Sequence, residues 1–208
     1  MGFYARHIFP RLMEWACGNE MVARERRTAL GAARGSVLEI GYGTGLNLPH
    51  YPSAVERLTV VDPNPMLADR VARRISEARM PVEQFQLDAS GRLPFEDASF
   101  DSVVTTFTLC SIGEVEPALR EMRRVLRPEG EYLFLEHGRS ADPRVAKRQD
   151  FFNPIQRRFA AGCNVNRPID RLIREGGFTM VELDRYLMPH TPRIAAEMFR
   201  GIARRALI

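Results

Sequence analysis

Three carboxylates stand where apolar runs end, and the first leads straight into a glycine loop. The stretch 37-VLEIGYGTGLNLPHY-51 places Glu39 two residues before Gly41, with Gly43 and Gly45 at alternate positions after it. Alternating glycines let the backbone turn tightly and bring its N–H groups against a ligand. Asp62 closes a second apolar run in 60-VVDPNPML-67, and Asp88 a third in 87-LDAS-90. Backbone donors beside three carboxylates suit a ligand rich in hydroxyl and amino groups, carrying positive rather than negative charge.

The spacing excludes two common phosphate cradles. A dinucleotide fingerprint beginning at Gly41 needs its third glycine at position 46, which is Leu46, and the Gly-Lys-Ser/Thr of a Walker loop is absent. Glu39 would repel a pyrophosphate and favour a cation. S-adenosylmethionine, with a sulfonium, an α-ammonium group and no phosphate, meets these demands. Glu39, Gly41, Gly43 and Gly45 are then expected around its methionine portion. Asp62 is expected at the ribose hydroxyls, and Asp88 with Ala89 at the adenine. Tyr42, Thr44, Asn47, Pro63, Asn64, Met66 and Ser90 complete the cofactor side.

These residues meet only if strands carry them to one edge. β-like runs at 36-SVLEIG-41, 57-RLTVVD-62, 82-VEQFQL-87, 100-FDSVVTTF-107 and 131-EYLFLEH-137 alternate with helical stretches near 65–79 and 114–127, the latter stopping before Gly130. Strand and helix in alternation give parallel strands joined by crossovers. Residues 3–32 read as one helix, with Ile8, Phe9, Leu12, Trp15 and Ala16 at helical spacing; it is a packed cover, a lid or a membrane-surface anchor. Beyond 143–160, also helical, come a polar loop 161–168, a short helix from Pro168, and an antiparallel strand pair at 178–188 and 195–204. The expected fold is α/β: a Rossmann-like, doubly wound, mostly parallel seven-stranded sheet with an antiparallel C-terminal strand and an N-terminal cover helix. One domain spans 1–208, with a helical cap at 1–33, a cofactor-binding core at 36–138 and acceptor-side elements at 139–208.

In order and spacing, E-x-G-x-G-x-G, D-P-N-P-M, D-A, 93-LPFEDASFDSVV-104 and 125-VLRPEGEYLFLEHG-138 resemble the successive motifs of the class I S-adenosylmethionine-dependent methyltransferases. More narrowly, 109-LCSIG-113, 136-EH-137 and 162-GCN-164 are similar to stretches of methyltransferase-like family seven, the alkyl thiol methyltransferases. Tyr42 departs from that pattern, since many relatives have Cys or Ala there. The resemblance implies methyl transfer to a small apolar acceptor, a thiol first, with a phospholipid amine or another small N/O-acceptor as the alternative. A cofactor-binding protein without catalysis and a nicotinamide dehydrogenase are the remaining rivals.

Methyl transfer is an in-line displacement, for which the protein aligns the partners and excludes water. Thr106, Leu109 and Cys110 follow the fourth strand and are expected beside the methionine and methyl end, with Ser111, Cys163, Asn164, Tyr4 and Phe9 around the acceptor. His137 and Glu136 end the fifth strand as the catalytic candidates: His137 accepts a proton or hydrogen-bonds the acceptor while Glu136 orients it, or the pair anchors backbone instead. Cys110 reads as lining rather than nucleophile, having no adjacent base. Asn166 reads as a cap for the short helix and Asn164 as functional.

Composition narrows the classes. The chain has 208 residues and a net charge of +4, but Lys147 is its only lysine and the arginines are spread along it, unlike a nucleic-acid patch. Cys17, Cys110 and Cys163 form no CxxC and join the four histidines in no zinc motif, so neither a disulfide framework nor a metal is expected. With no signal-peptide core and no apolar run of the ~18 residues that span a bilayer, the expected location is cytoplasmic, with peripheral membrane contact through the N-terminal helix as one option.

Overall fold

The computed structural model describes residues 9–64, 67–160 and 162–206. Seven strands form one sheet: β1 (Gly35–Ile40), β2 (Val55–Val61), β3 (Val82–Phe85), β4 (Phe100–Thr106), β5 (Leu126–His137), β6 (Phe178–Leu187) and β7 (Glu197–Arg205). Their order is β3-β2-β1-β4-β5-β7-β6. The pairings from β3 through β5 are all parallel, while β7 lies antiparallel between β5 and β6. The helices are α1 (Phe9–Cys17), α2 (Glu20–Leu30), α3 (Ala68–Ser76), α4 (Val115–Val125), α5 (Pro143–Phe159) and α6 (Ile169–Glu175).

Successive strand residues point to opposite faces, and the central strands are apolar on both. Leu38, Ile40, Val103, Tyr132 and Phe134 pack on one face with Ala118, Leu119 and Met122 of α4 and Ile169 and Ile173 of α6. Val37, Val60, Val104 and Leu133 pack on the other with Leu30 of α2 and Val71 of α3. This double cover makes the sheet doubly wound. The strand order reverses between β1 and β4, and the carboxyl ends there border the crevice in which such sheets bind ligands.

Four local expectations change. The N-terminal helix is broken: Asn19 accepts from the Val22 N–H and starts α2 afresh after α1. Nor does α1 bury its apolar row, since Leu12 and Trp15 are exposed; buried Glu14 pins it instead, through Arg74 at 2.5 Å and Arg70 of α3. Gly130 does not stop α4, which ends at Val125 and passes directly into β5; the glycine fits there because a side chain would strike Leu126 and the Asp101 carbonyl. Asn166 caps nothing: Pro168 stands at the N-cap of α6 and Asn166 donates to Asp150.

Candidate functional site

A cavity of about 1050 Å³ opens at the carboxyl ends of the central strands. Pockets for one drug-sized ligand run ~300–1,000 Å³, so this one has room for a nucleoside cofactor together with a small second molecule. Gly41, Tyr42, Gly43 and Thr44 line it after β1, Asp62, Pro63 and Asn64 after β2, and Asp88 and Ala89 after β3. Gly41 adopts φ +71°, and a Cβ there would run into Thr108, which holds the two loops in contact.

The Asp62 carboxylate faces the cavity and organises its rim. Oδ2 accepts from the Gly43 N–H at 2.9 Å and Oδ1 from the Asn64 N–H at 2.8 Å. Each oxygen keeps a lone pair for two neighbouring hydroxyls. Burial raises the Asp62 pKa, and the two N–H bonds pull it back. Asp88 is held low by the hydroxyl and N–H of Ser90, which turn inward on it, so Ser90 supports the site without lining it. Tyr42 donates its hydroxyl to Gln84 at 3.0 Å. Gly45 lies against Leu48 and Tyr42, and Leu109 is fully buried in the core, both away from the cavity wall. Met66 and Tyr4 lie outside the described residues, as does the side chain of Phe9.

Glu39 is placed differently from its expected position against the ligand. It is buried behind the cavity wall, accepting from Asn47 Nδ2 at 2.8 Å and Tyr51 Oη at 2.7 Å. Asn47, equally buried, passes the connection on: its Oδ1 accepts from Arg26 Nη1 at 2.7 Å, and Arg26 also donates to Thr106 Oγ1 at 2.9 Å. Burial pushes the Glu39 pKa from the usual 4.5 to about 7, despite the two hydrogen bonds and nearby Arg26. A folded-state pKa above the unfolded one gives stability that is whole below 4.5 and lost as pH rises to about 7. Glu39→Gln should remove that loss, a swing of order 3 kcal/mol, seen as a smaller change of urea midpoint between pH 5 and pH 8 than the ligand-free wild type shows.

Arg26 escaped the sequence reading. It lines the cavity, is 6% exposed, stacks 5.2 Å from the Phe107 ring centre, and keeps a buried Nε–H without a partner among the described residues. Val22, Ala29 and Leu30 are the other buried residues of α2, and their helical spacing marks Arg26 as the arginine of 24-RERR-27 that faces inward. Trp15 and Cys17 of α1, with Met188, His190 and Met198 around the β6–β7 turn, also border the cavity.

At the far end, Thr106, Cys110, Ser111, His137 and Cys163 line the wall together. His137 Nε2 lies 3.2 Å from Cys163 Sγ. Burial opposes the imidazolium, yet Cys163 and Glu136 outweigh it and the His137 pKa is raised. The Cys163 thiol is pushed well up by Cys110 and by burial, so it rests as a thiol. Of its two expected roles Glu136 takes the backbone anchor and not the orienting of His137: fully buried, it takes the Thr108 N–H on both oxygens, at 2.9 and 3.1 Å, and reaches neither the cavity nor a His137 hydrogen bond. Asn164 is structural too. Its Nδ2 donates to the Cys110 and Gly162 carbonyls at 2.9 Å and its Oδ1 accepts from Asn153, which ties the loop bearing Cys163 to the loop bearing Cys110.

Residues 38–134 match a family model described as a methyltransferase domain. The human thiol S-methyltransferase TMT1A is 34% identical over 164 residues, covering 74% of this chain and 64% of that protein. A phosphatidylethanolamine N-methyltransferase of Cereibacter sphaeroides is 33% identical over 129 residues, covering 61% of this chain and 63% of its own length. The alignments thus span just under two thirds of these curated relatives. Among solved structures, the N-methyltransferase NodS of Bradyrhizobium japonicum in complex with S-adenosyl-L-homocysteine superposes with a TM-score of 0.67 at 20% identity, covering 92% of this chain and 91% of that one. The sheet order, the residues of the crevice and these relatives agree that residues 38–134 form a methyltransferase domain similar to those of the class I, S-adenosylmethionine-dependent enzymes.

Proposed function

We propose that the protein transfers a methyl group from S-adenosylmethionine to a small thiol. The observation that carries this reading is the division of one cavity into a polar trough across the ends of β3, β2 and β1 and a wall of Cys110, Ser111, His137 and Cys163 beyond β4 and β5. Strands ~4.8 Å apart make the row from β3 to β5 about 19 Å long, enough for an extended cofactor with its methyl at the β4 end. Asp88 and Ala89 receive the adenine, Asp62 the ribose diol, and the Gly41–Thr44 loop the methionine portion, whose carboxylate pairs with Arg26. Glu39 acts through Asn47, ordering the loop and Arg26 rather than touching the ligand. The bound cofactor supplies an electrophilic methyl and a good leaving group. The protein contributes alignment and exclusion of water, and His137 stands at the acceptor end of the cavity.

Support for a thiol comes from the 34% identical TMT1A and from the sulfur-bearing lining of the cavity, to which Met188 and Met198 contribute along with Cys110 and Cys163. A second reading, a phospholipid amine, rests on the phosphatidylethanolamine relative and on α5, where Phe151, Phe152, Ile155 and Phe159 are exposed beside Arg148, Arg157 and Arg158 and Trp15 stands at the cavity mouth. Such an apolar row among cations suits an anionic bilayer surface. Among the described residues no helix is long and apolar enough to cross a membrane. One screen separates the readings: S-adenosylhomocysteine formation with alkyl thiols, hydrogen sulfide, phenols and phosphatidylethanolamine in vesicles. Turnover of thiols is expected. Turnover confined to the lipid would replace the first reading with the second, and none with any acceptor would leave only cofactor binding.

A further inference from the structure

Cys110, His137 and Cys163 present Sγ, an imidazole nitrogen and Sγ within 4.8 Å of one another, and all three line the cavity. No short motif announces this, because the residues come from the loop after β4, the end of β5 and the loop after α5. The sheet brings the first two together, since β4 pairs with β5 over Val103–Thr106. Backbone and side-chain bonds fix the third: the Asn164 N–H donates to the Cys110 carbonyl at 2.8 Å and Asn164 Nδ2 to the same oxygen at 2.9 Å. The cluster is therefore preorganised by contacts that involve none of its ligand atoms.

We propose that Cys110, His137 and Cys163 bind a soft divalent cation, zinc first, in a three-ligand site whose fourth position opens on the acceptor end of the cavity. Bond lengths of ~2.3 Å for Zn–S and ~2.0–2.1 Å for Zn–N put tetrahedral ligand edges at about 3.5–3.8 Å. The 3.2 Å between His137 and Cys163 and the 4.8 Å limit on the whole cluster bracket those edges. Two cysteines and one histidine are a zinc-type donor set, and three ligands with one open position is the catalytic rather than the structural pattern. The Ser111 hydroxyl, 3.4 Å from Cys110 Sγ, provides an outer hydrogen bond to that sulfur.

This assignment rests on the thiol reading of the acceptor and supplies what that reading lacks, a way to present the thiol ionised. Loading the cation releases the two cysteine protons. An acceptor R–SH entering the fourth position loses its proton to solvent at the cavity mouth and stays as thiolate. Its sulfur lone pair forms the new S–CH₃ bond as the sulfonium S–CH₃ bond breaks, and that bonding pair remains on the sulfur of S-adenosylhomocysteine. The product R–S–CH₃ is neutral and a poor ligand, so it leaves.

The test uses the full chain under a non-thiol reductant. Titration with Co(II) alone should give one equivalent bound per chain, with the intense visible bands of tetrahedral thiolate ligation. Zn(II) should displace it. Cys163→Ser and His137→Ala should each weaken binding at least 10-fold while still binding S-adenosylhomocysteine, which confirms their fold. Asp62→Ala, at the β2 end of the cavity, should leave metal binding unchanged. Adding a small alkyl thiol should shift the visible bands. Absence of a bound equivalent, or binding that Cys110→Ser and Cys163→Ser leave intact, overturns the proposal. So does full thiol turnover by chelator-treated protein, which would leave the thiol reading standing; a thiol-shifted Co(II) site with no thiol turnover would do the reverse.

Discussion

Asp62→Ala should lower the affinity for S-adenosylhomocysteine about 100-fold, on the order of 3 kcal/mol, by isothermal calorimetry at neutral pH. The size follows from what the carboxylate does twice over. It takes the N–H groups of Gly43 and Asn64, so its loss unpairs two rim donors, and in the proposed binding mode its remaining lone pairs would take two ribose hydroxyls in charge-assisted bonds. Asp62→Asn is the informative companion. It preserves volume and one acceptor but turns an N–H₂ toward a donor, so it should lose nearly as much. The wild type carries its own control, because burial raises the Asp62 pKa and the ligand's hydroxyls favour the ionised form. Affinity should therefore fall as the pH drops through that raised pKa, and in Asp62→Asn this pH dependence should vanish. A variant within about threefold of the wild type would remove Asp62 from the ribose position.

How much of this was legible in the sequence depends on whether the information is local. The glycine loop, Asp62 and Asp88 were readable because each sits where its own strand ends, and parallel strands deliver their ends to one edge whatever the details of packing. The helix break at Gly18-Asn19 was missed because periodicity over two short helices sums to the pattern of one long helix, although Asn19 is a strong N-cap type. Glu39 was placed on the ligand by an argument about charge. The structure spends that charge inward, on Tyr51 and Asn47, because β1 is covered on both faces and a side chain pointing from it enters the core. Glu136 repeats the lesson at the end of β5, where the Thr108 N–H takes both its oxygens. The grouping of Cys110, His137 and Cys163 is tertiary in origin, so a search for metal spacing within the sequence had nothing to find.

Arg26→Met should weaken S-adenosylhomocysteine binding by 10- to 100-fold while leaving the affinity for 5′-methylthioadenosine within about threefold, because only the first ligand carries the amino-acid carboxylate. Methionine keeps much of the apolar bulk against Phe107, so the change removes the guanidinium rather than the packing. In the wild type that guanidinium is costly to bury: its Nε–H has no partner among the described residues, and desolvation lowers the Arg26 pKa. A buried arginine with an idle donor edge on a cavity wall is stabilised when a carboxylate arrives, which is the physical case for its role. Arg26→Lys should restore only part of the affinity, since a single ammonium cannot hold Asn47, Thr106 and a carboxylate at once as the planar fork does. The two ligands also orient the cofactor. Asp62→Ala should penalise both of them, because both carry the ribose, and Arg26→Met only the longer one. Equal penalties from Arg26→Met on the two ligands would mean that it acts by disturbing the Asn47–Glu39 network and not by meeting the carboxylate. The Glu39 pKa would separate these causes further: without Arg26 nearby it should rise above about 7, carrying the stability loss of the ligand-free protein to higher pH.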